Sequence, residues 1–316
     1  MKILVYGAGV LGSTLAHRLI QAGHDVSMLA RGKRAEQLER DGLVIRHYLQ
    51  RKTTTDRPNV VRSLEPSDRY ELIFTVIKYS DIDAVLPVLA ANVSERIVMV
   101  GNNPDAERTQ MELRRLGGSG KKTAFAFQLS GGTRQEDGQV ISILAGGGQM
   151  VAGMLDGRIP FMPQLREAFA GTRYKVMEQE NIDAWLKNHI VSIVPLSAAV
   201  LIRNGDVKAL ARDKKLLRRV VEAMGEGFDT LEAAGYPLVP AAQANIIRRF
   251  KRTLRMLLGL YHRVPVARWV DGSFAELQAL NQVFESWTRK SGHEATIWGS
   301  LLEEVGRFKD REPGVK

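Results

Sequence analysis

The chain has 316 residues, 44% of them hydrophobic and 25% charged, which suffices for two ordinary cores and is unlike a disordered segment. It has no cysteine, excluding disulfides, thiolate metal sites and cysteine nucleophiles, and its six histidines show no His-x-x-x-His spacing, so no metal is expected. A formal net charge of +10 is compatible with nucleic acid, an anionic membrane surface or phosphorylated ligands as partners.

Strand and helix signals alternate through the first half. Residues 2–6 read as a short apolar strand, 11–22 as an amphipathic helix, 25–29 as a second strand, 33–41 as a short helix and 43–48 as another strand. Residues 71–76 and 96–100 follow as buried strands around a helix over 82–89, and strands are predicted again at 123–128 and 139–144. Such alternation implies a mostly parallel sheet covered by helices. From Asn181 onward the apolar spacing turns helical, over 182–194, 216–234, 241–260 and 274–291. The expected division is a domain at 1–178 and an all-helical one at 179–316. No apolar run near the ~20 residues of a membrane span is recognised, nor a signal peptide, so a cytoplasmic protein without membrane partners is expected. The basic clusters Arg212-Asp213-Lys214-Lys215 and Arg248-Arg249-Phe250-Lys251-Arg252 read as solvated helix faces, and no nucleic-acid motif accompanies them.

Directly after the first strand stands Gly7-Ala8-Gly9-Val10-Leu11-Gly12. The first glycine permits a tight turn, the second lets backbone approach a pyrophosphate, and the third lets helix pack on strand. The helix amino terminus then offers free N–H groups and partial positive charge. A site for NAD usually carries an acid at the end of the second strand. Here positions 26–34 read Val-Ser-Met-Leu-Ala-Arg-Gly-Lys-Arg, with Arg31, Lys33 and Arg34 where a 2′-phosphate would lie. NADP(H) is therefore the expected cofactor.

On these residues, and on Lys78 in Phe-Thr-Val-Ile-Lys, Asn102 in Val-Gly-Asn-Asn and Asp-Gly-Gln-Val-Ile at 137–141, the chain resembles the ketopantoate reductase family. Trp185-Leu186-Lys187, Asn204-Gly205-Asp206 and Ala275-Glu276-Leu277 fall where that family has its helical signatures. The resemblance implies a Rossmann-type domain followed by an all-α domain like the C-terminal part of 6-phosphogluconate dehydrogenase. It also implies NADPH-dependent reduction of a 2-oxo acid, with ketopantoate, the pantothenate precursor, as the leading substrate. By the same resemblance Lys187 is the catalytic lysine, Glu276 sits near the reacting centre, and Lys78 and Asn102 border the cofactor. The chemistry is apt: hydride addition leaves negative charge on a carbonyl oxygen, which an ammonium can stabilise and protonate.

The family's lysine helix carries asparagines one and two turns on, and the corresponding positions here are near Val191 and Val194-Pro195, with one residue fewer. Asn188, His189 or Ser192, or Asn204 further on, could restore polarity. A serine-rich segment of the family reads Val264-Pro265-Val266-Ala267-Arg268. If Val191, Val194 and Val264 line the pocket, a bulkier, more apolar oxo acid or an imine becomes the competing substrate. A non-catalytic NADP(H)-binding regulator is the competing function. A monomer or homodimer is expected.

Overall fold

The apolar run Lys2–Tyr6 forms strand β1, and glycine-punctuated returns set Asp25–Leu29 (β2) and Leu72–Val76 (β6) parallel on either side of it. The computed structural model describes residues 1–117, 120–264, 267 and 273–311, and divides into units Met1–Ile182 and Asp183–Lys316. The expected boundary at residue 178 coincides with the end of the last strand of the first unit.

The remaining strands are Leu43–His47 (β3), Lys52–Asp56 (β4), Asn59–Val61 (β5), Arg96–Val100 (β7), Lys122–Gln128 (β8), Gly131–Arg134 (β9), Val140–Ile143 (β10), Gln149–Gly153 (β11) and Lys175–Glu178 (β12). Eight make the main sheet, in the order β12-β11-β8-β7-β6-β1-β2-β5, parallel except between β8 and β11. Every residue of β6 is buried, as expected of a parallel strand covered on both faces. The helices of this unit are Val10–Gln21 (α1), Gly32–Asp41 (α2), Ile82–Ala91 (α3), Ala106–Gly117 (α4) and Met162–Glu167 (α5).

The strands predicted at 43–48 and 139–144 belong to a different sheet, ordered β4-β3-β10-β9, in which β3 and β10 run parallel. This small sheet grips α1. The Thr14 hydroxyl donates to Ser142 Oγ (3.1 Å), and His17 Nδ1 lies 2.7 Å from Asp56 Oδ2, both buried.

The second unit is helical throughout its described residues: Ile182–Ile202 (α6), Val207–Arg212 (α7), Lys214–Ala233 (α8), Ala241–Arg249 (α9), Lys251–Tyr261 (α10), Phe274–Ser291 (α11) and Thr296–Arg311 (α12). The predicted stop of α6 at Val194 is corrected: the helix runs through Pro195 for two more turns. An interior proline costs about 3 kcal/mol. Burial of Ala198, Ala199 and Ile202 offsets it, at roughly 1.5–3 kcal/mol for a large apolar side chain. At 21 residues and mean hydropathy 1.5, α6 meets the length and composition of a membrane span, contrary to the sequence reading, yet 56% of that stretch is buried within the fold. It packs on α8, where Gly227 leaves room for Val191. The single helix expected over 241–260 is two helices, broken at Phe250 (φ −112°, ψ 40°).

Candidate active site

The glycine turn owes its shape to contacts that no side chain could survive. Gly7 has φ +118°, and a Cβ there would overlap the Val76 carbonyl. A Cβ on Gly12 would overlap the carbonyl of Gly7, so the third glycine lets α1 close onto the turn. Gly9, by contrast, faces open space, with nothing within 4 Å of where its Cβ would be. It is also the N-cap of α1, whose first N–H groups receive no side-chain cap. Ala8, Val10 and Leu11 complete the turn. Open backbone, uncapped donors and the helix dipole together fit a pyrophosphate.

The three basic residues after β2 separate. Arg31 is the exposed N-cap of α2, and its Nη2 donates to the Tyr6 hydroxyl (3.3 Å) at the end of β1. Lys33 is exposed as well. Arg34, grouped with them in the sequence reading, turns inward and is 8% exposed. It donates to the Ala8 carbonyl (3.1 Å), the Gly138 carbonyl (2.8 Å) and Ser13 Oγ (3.1 Å). Burial, helped by the charge of Arg134, lowers its pKa to about 10. Arg34 is thus a brace for the turn.

Arg134 was not picked out from sequence. It arrives on β9 and its Nη1 stands 3.5 Å from the Ala8 carbonyl, adding a second cation beside the turn. Only the pairing of β9 with β10 would have signalled it. Lys78 and Asn102 occupy the loops that follow β6 and β7. These loops touch, since a Cβ on Gly101 would stand 3.0 Å from the Ile77 carbonyl. The turn, Arg31, Lys78 and Asn102 therefore gather at the carboxyl ends of β1, β2, β6 and β7, the edge where open α/β sheets bind ligands.

In the helical unit, Lys187 is 3% exposed. Its Nζ donates to Asp183 one turn earlier and lies 4.8 Å from the centre of the Tyr236 ring. Lys290 Nζ lies 4.5 Å from the same ring. A helix end fixes Tyr236: Gly235 (φ +83°) closes α8, and the Tyr236 N–H bonds to the Leu231 carbonyl. Asn188 is buried, and its Nδ2 donates to Ala184 (2.6 Å) and Pro237 (3.1 Å) carbonyls, while its Oδ1 has no partner. The Ser192 hydroxyl donates to the Asn188 carbonyl (3.3 Å) and accepts from Gln243 Nε2 (2.9 Å). His189 is stacked on Trp185 (ring centres 5.4 Å apart), and burial lowers its pKa to about 4.

The structure groups Lys187 with Asp183, Asn188, Ser192 and Tyr236, and Asn204 stands apart from them. Asn204 is exposed beyond the far end of α6, about 22 Å along the helix from Lys187. Glu276 is in the first turn of α11, where its N–H bonds to the Ser273 side chain (3.1 Å) in a Ser-x-x-Glu capping pattern. About 21 Å of helix separates it from Lys290, the α11 residue beside Tyr236. The apolar pocket wall expected from Val191 and Val194 is corrected. Both are fully buried, and Val191 packs against Gly227 of α8 in the helical core. Val264 is 42% exposed, while Pro265, Val266 and Arg268 of the expected serine-free segment lie outside the described residues.

A glycine turn between a parallel strand and a helix, at the ligand-binding edge of an open sheet, defines the Rossmann class. Residues 3–157 match the family model described as ketopantoate reductase PanE/ApbA. The chain is 27% identical over 230 residues to a 2-dehydropantoate 2-reductase of Pyrococcus horikoshii, covering 72% of each. Its structure is similar to that of 2-dehydropantoate 2-reductase from Methylococcus capsulatus (TM-score 0.72, 20% identity, 98% and 97% of the two chains covered). It is similar also to D-mandelate dehydrogenase with NADH and anilino(oxo)acetate (TM-score 0.77, 16% identity, 98% and 99% covered). Residues 3–157, the greater part of the first unit, belong to the ketopantoate reductase PanE/ApbA family of oxidoreductases.

Proposed function

We propose that this protein reduces a 2-oxo acid to the 2-hydroxy acid with NADPH, ketopantoate being the first substrate to try. The observation that carries the cofactor reading is Arg31, exposed at the end of β2 where no carboxylate stands. In this reading the Gly7–Gly12 turn and the start of α1 hold the pyrophosphate, Arg31 takes the 2′-phosphate, and Lys78 and Asn102 border the dinucleotide. Bound NADPH supplies the hydride. Lys187 then stabilises the developing alkoxide and gives it a proton, with Asp183 orienting the ammonium. Asn188 Oδ1, buried and without a partner, is the acceptor nearest in sequence for a substrate hydroxyl.

A second reading keeps the chemistry and enlarges the substrate. The similar D-mandelate dehydrogenase was solved with anilino(oxo)acetate, an oxo acid bearing an aromatic tail. NADPH oxidation over ketopantoate, phenylglyoxylate and branched aliphatic 2-oxo acids separates the two. Fastest turnover on ketopantoate supports the first reading, and preference for phenylglyoxylate the second. NADPH binding without turnover of any oxo acid would leave an imine substrate or the regulatory alternative.

A further inference from the structure

Helix α10 leaves much of its apolar surface uncovered. The one residue it buries is Gly259, which faces Ala211 and Leu217. Leu254 and Leu258 are half-buried beside it, but three further apolar residues point outward at helical spacing: Met256 (67% exposed), Leu257 (51%) and Leu260 (59%) lie on one face with Thr253. Ile246 and Phe250, just upstream, are about as exposed. An outward apolar stripe of this kind marks an interaction surface.

Its charge identifies the partner. Residues 241–264 contain six Lys or Arg and no acid. Arg248 is paired with Asp229 and Glu232 of α8, but Arg249, Lys251, Arg252, Arg255 and Arg263 have no ion pair among the described residues. Arg252 stands one turn before Met256, and Arg263 follows Leu260 by three residues, so cations flank the stripe. A second copy docked here would bring like charges together without an acid to match them. Nucleic acid would satisfy the arginines but has no use for exposed Met and Leu chains, since its bases stack on aromatic rings. A bilayer with acidic headgroups satisfies both, taking the aliphatic chains below the headgroups and the guanidiniums at phosphate level.

We propose that the α9–α10 face docks on a bilayer bearing anionic phospholipids. The test is co-sedimentation of the full chain with phosphatidylcholine vesicles containing about 30% phosphatidylglycerol, against pure phosphatidylcholine. Binding to the acidic vesicles alone, released by about 0.5 M salt, is expected. The surface pairs Met256→Asp/Leu260→Asp and Arg249→Glu/Arg252→Glu should each weaken it at least about tenfold without shifting the melting temperature. In Met256→Trp, which keeps the face apolar, the indole emission should move to the blue on acidic vesicles. No sedimentation, an unmoved indole, or binding that survives both pairs overturns the proposal. So does a dimer that Met256→Asp/Leu260→Asp makes monomeric, or duplex DNA binding that needs the arginines but not the stripe.

Discussion

Arg34 holds Ala8 from behind: its Nε donates to the Ala8 carbonyl at 3.1 Å while its other nitrogens reach Gly138 and Ser13. Helix α2 thereby ties the glycine turn to α1 and to the loop before β10. Removing the guanidinium leaves two carbonyls and a hydroxyl without this donor in a buried place. Arg34→Ala is expected to cost about 2–4 kcal/mol in urea unfolding and to weaken dinucleotide binding. Arg34→Lys keeps the charge but not the three-way fork, and should fall between. Unchanged stability in Arg34→Ala would free this residue for a cofactor role instead.

Arg31 and Arg134 should separate on titration. Arg31→Ala is expected to narrow the preference for NADPH over NADH by roughly 1–3 kcal/mol, the scale of a charge-assisted hydrogen bond. Arg134 lies beside Ala8 in the turn itself, so Arg134→Ala should weaken both cofactors alike. Fluorescence titration of the two variants with both dinucleotides decides this. Equal affinity of the unmodified protein for NADPH and NADH would remove the 2′-phosphate reading altogether.

What the sequence disclosed, and what it hid, follows from range. Gly7, Gly9 and Gly12 were legible because they stand in one short run: Gly12 closes on Gly7 five positions earlier, although the carbonyl that excludes a side chain at Gly7 belongs to distant Val76. The small sheet was not, because β3 pairs with β10 across some ninety residues (His47 with Ser142), and no local period announces such a partner. Arg134 and the inward turn of Arg34 toward Gly138 were hidden for that reason. Pro195 misled in the other direction, since a local helix-breaking signal was overridden by the burial of Ala198, Ala199 and Ile202. Val191 shows the last limit. Helical spacing says which residues share a face, but not whether that face meets a pocket or, as here, Gly227 of α8.

The lysine and the histidine of α6 can be told apart by turnover. Lys187→Ala is expected to lower kcat by at least ~100-fold with little change in NADPH affinity, the usual range for a lost acid catalyst. His189→Ala should leave kcat within about threefold, since its ring stacks on Trp185. Asp183→Ala leaves a nearly buried ammonium without its counter-charge, and about 3–5 kcal/mol of stability should go with it. A collapse of kcat in His189→Ala together with a silent Lys187→Ala would transfer the acid's role to the imidazole.

His47 sets an acid limit on the first unit. Burial, then the neighbouring charge of His17, lowers its pKa from 6.5 to about 4. Its ring centre is 4.7 Å from that of His17, and Nε2 shares a 2.8 Å hydrogen bond with Thr54 Oγ1. Because the folded pKa lies below the unfolded one, the unfolded chain takes up the proton first as pH falls. The stabilisation is complete above pH 6.5, declines between there and about 4, and is flat below. Over that window the loss is at most about 3 kcal/mol for this ring. His47→Gln can keep a hydrogen bond to Thr54 but cannot be protonated, so its unfolding midpoint in urea should fall less steeply from pH 7 to 4. His189, also held near 4, continues to titrate in that variant, so a reduced slope rather than a level one is expected. A slope identical to that of the unmodified protein would mean that His47 is not the ring whose burial opposes acid.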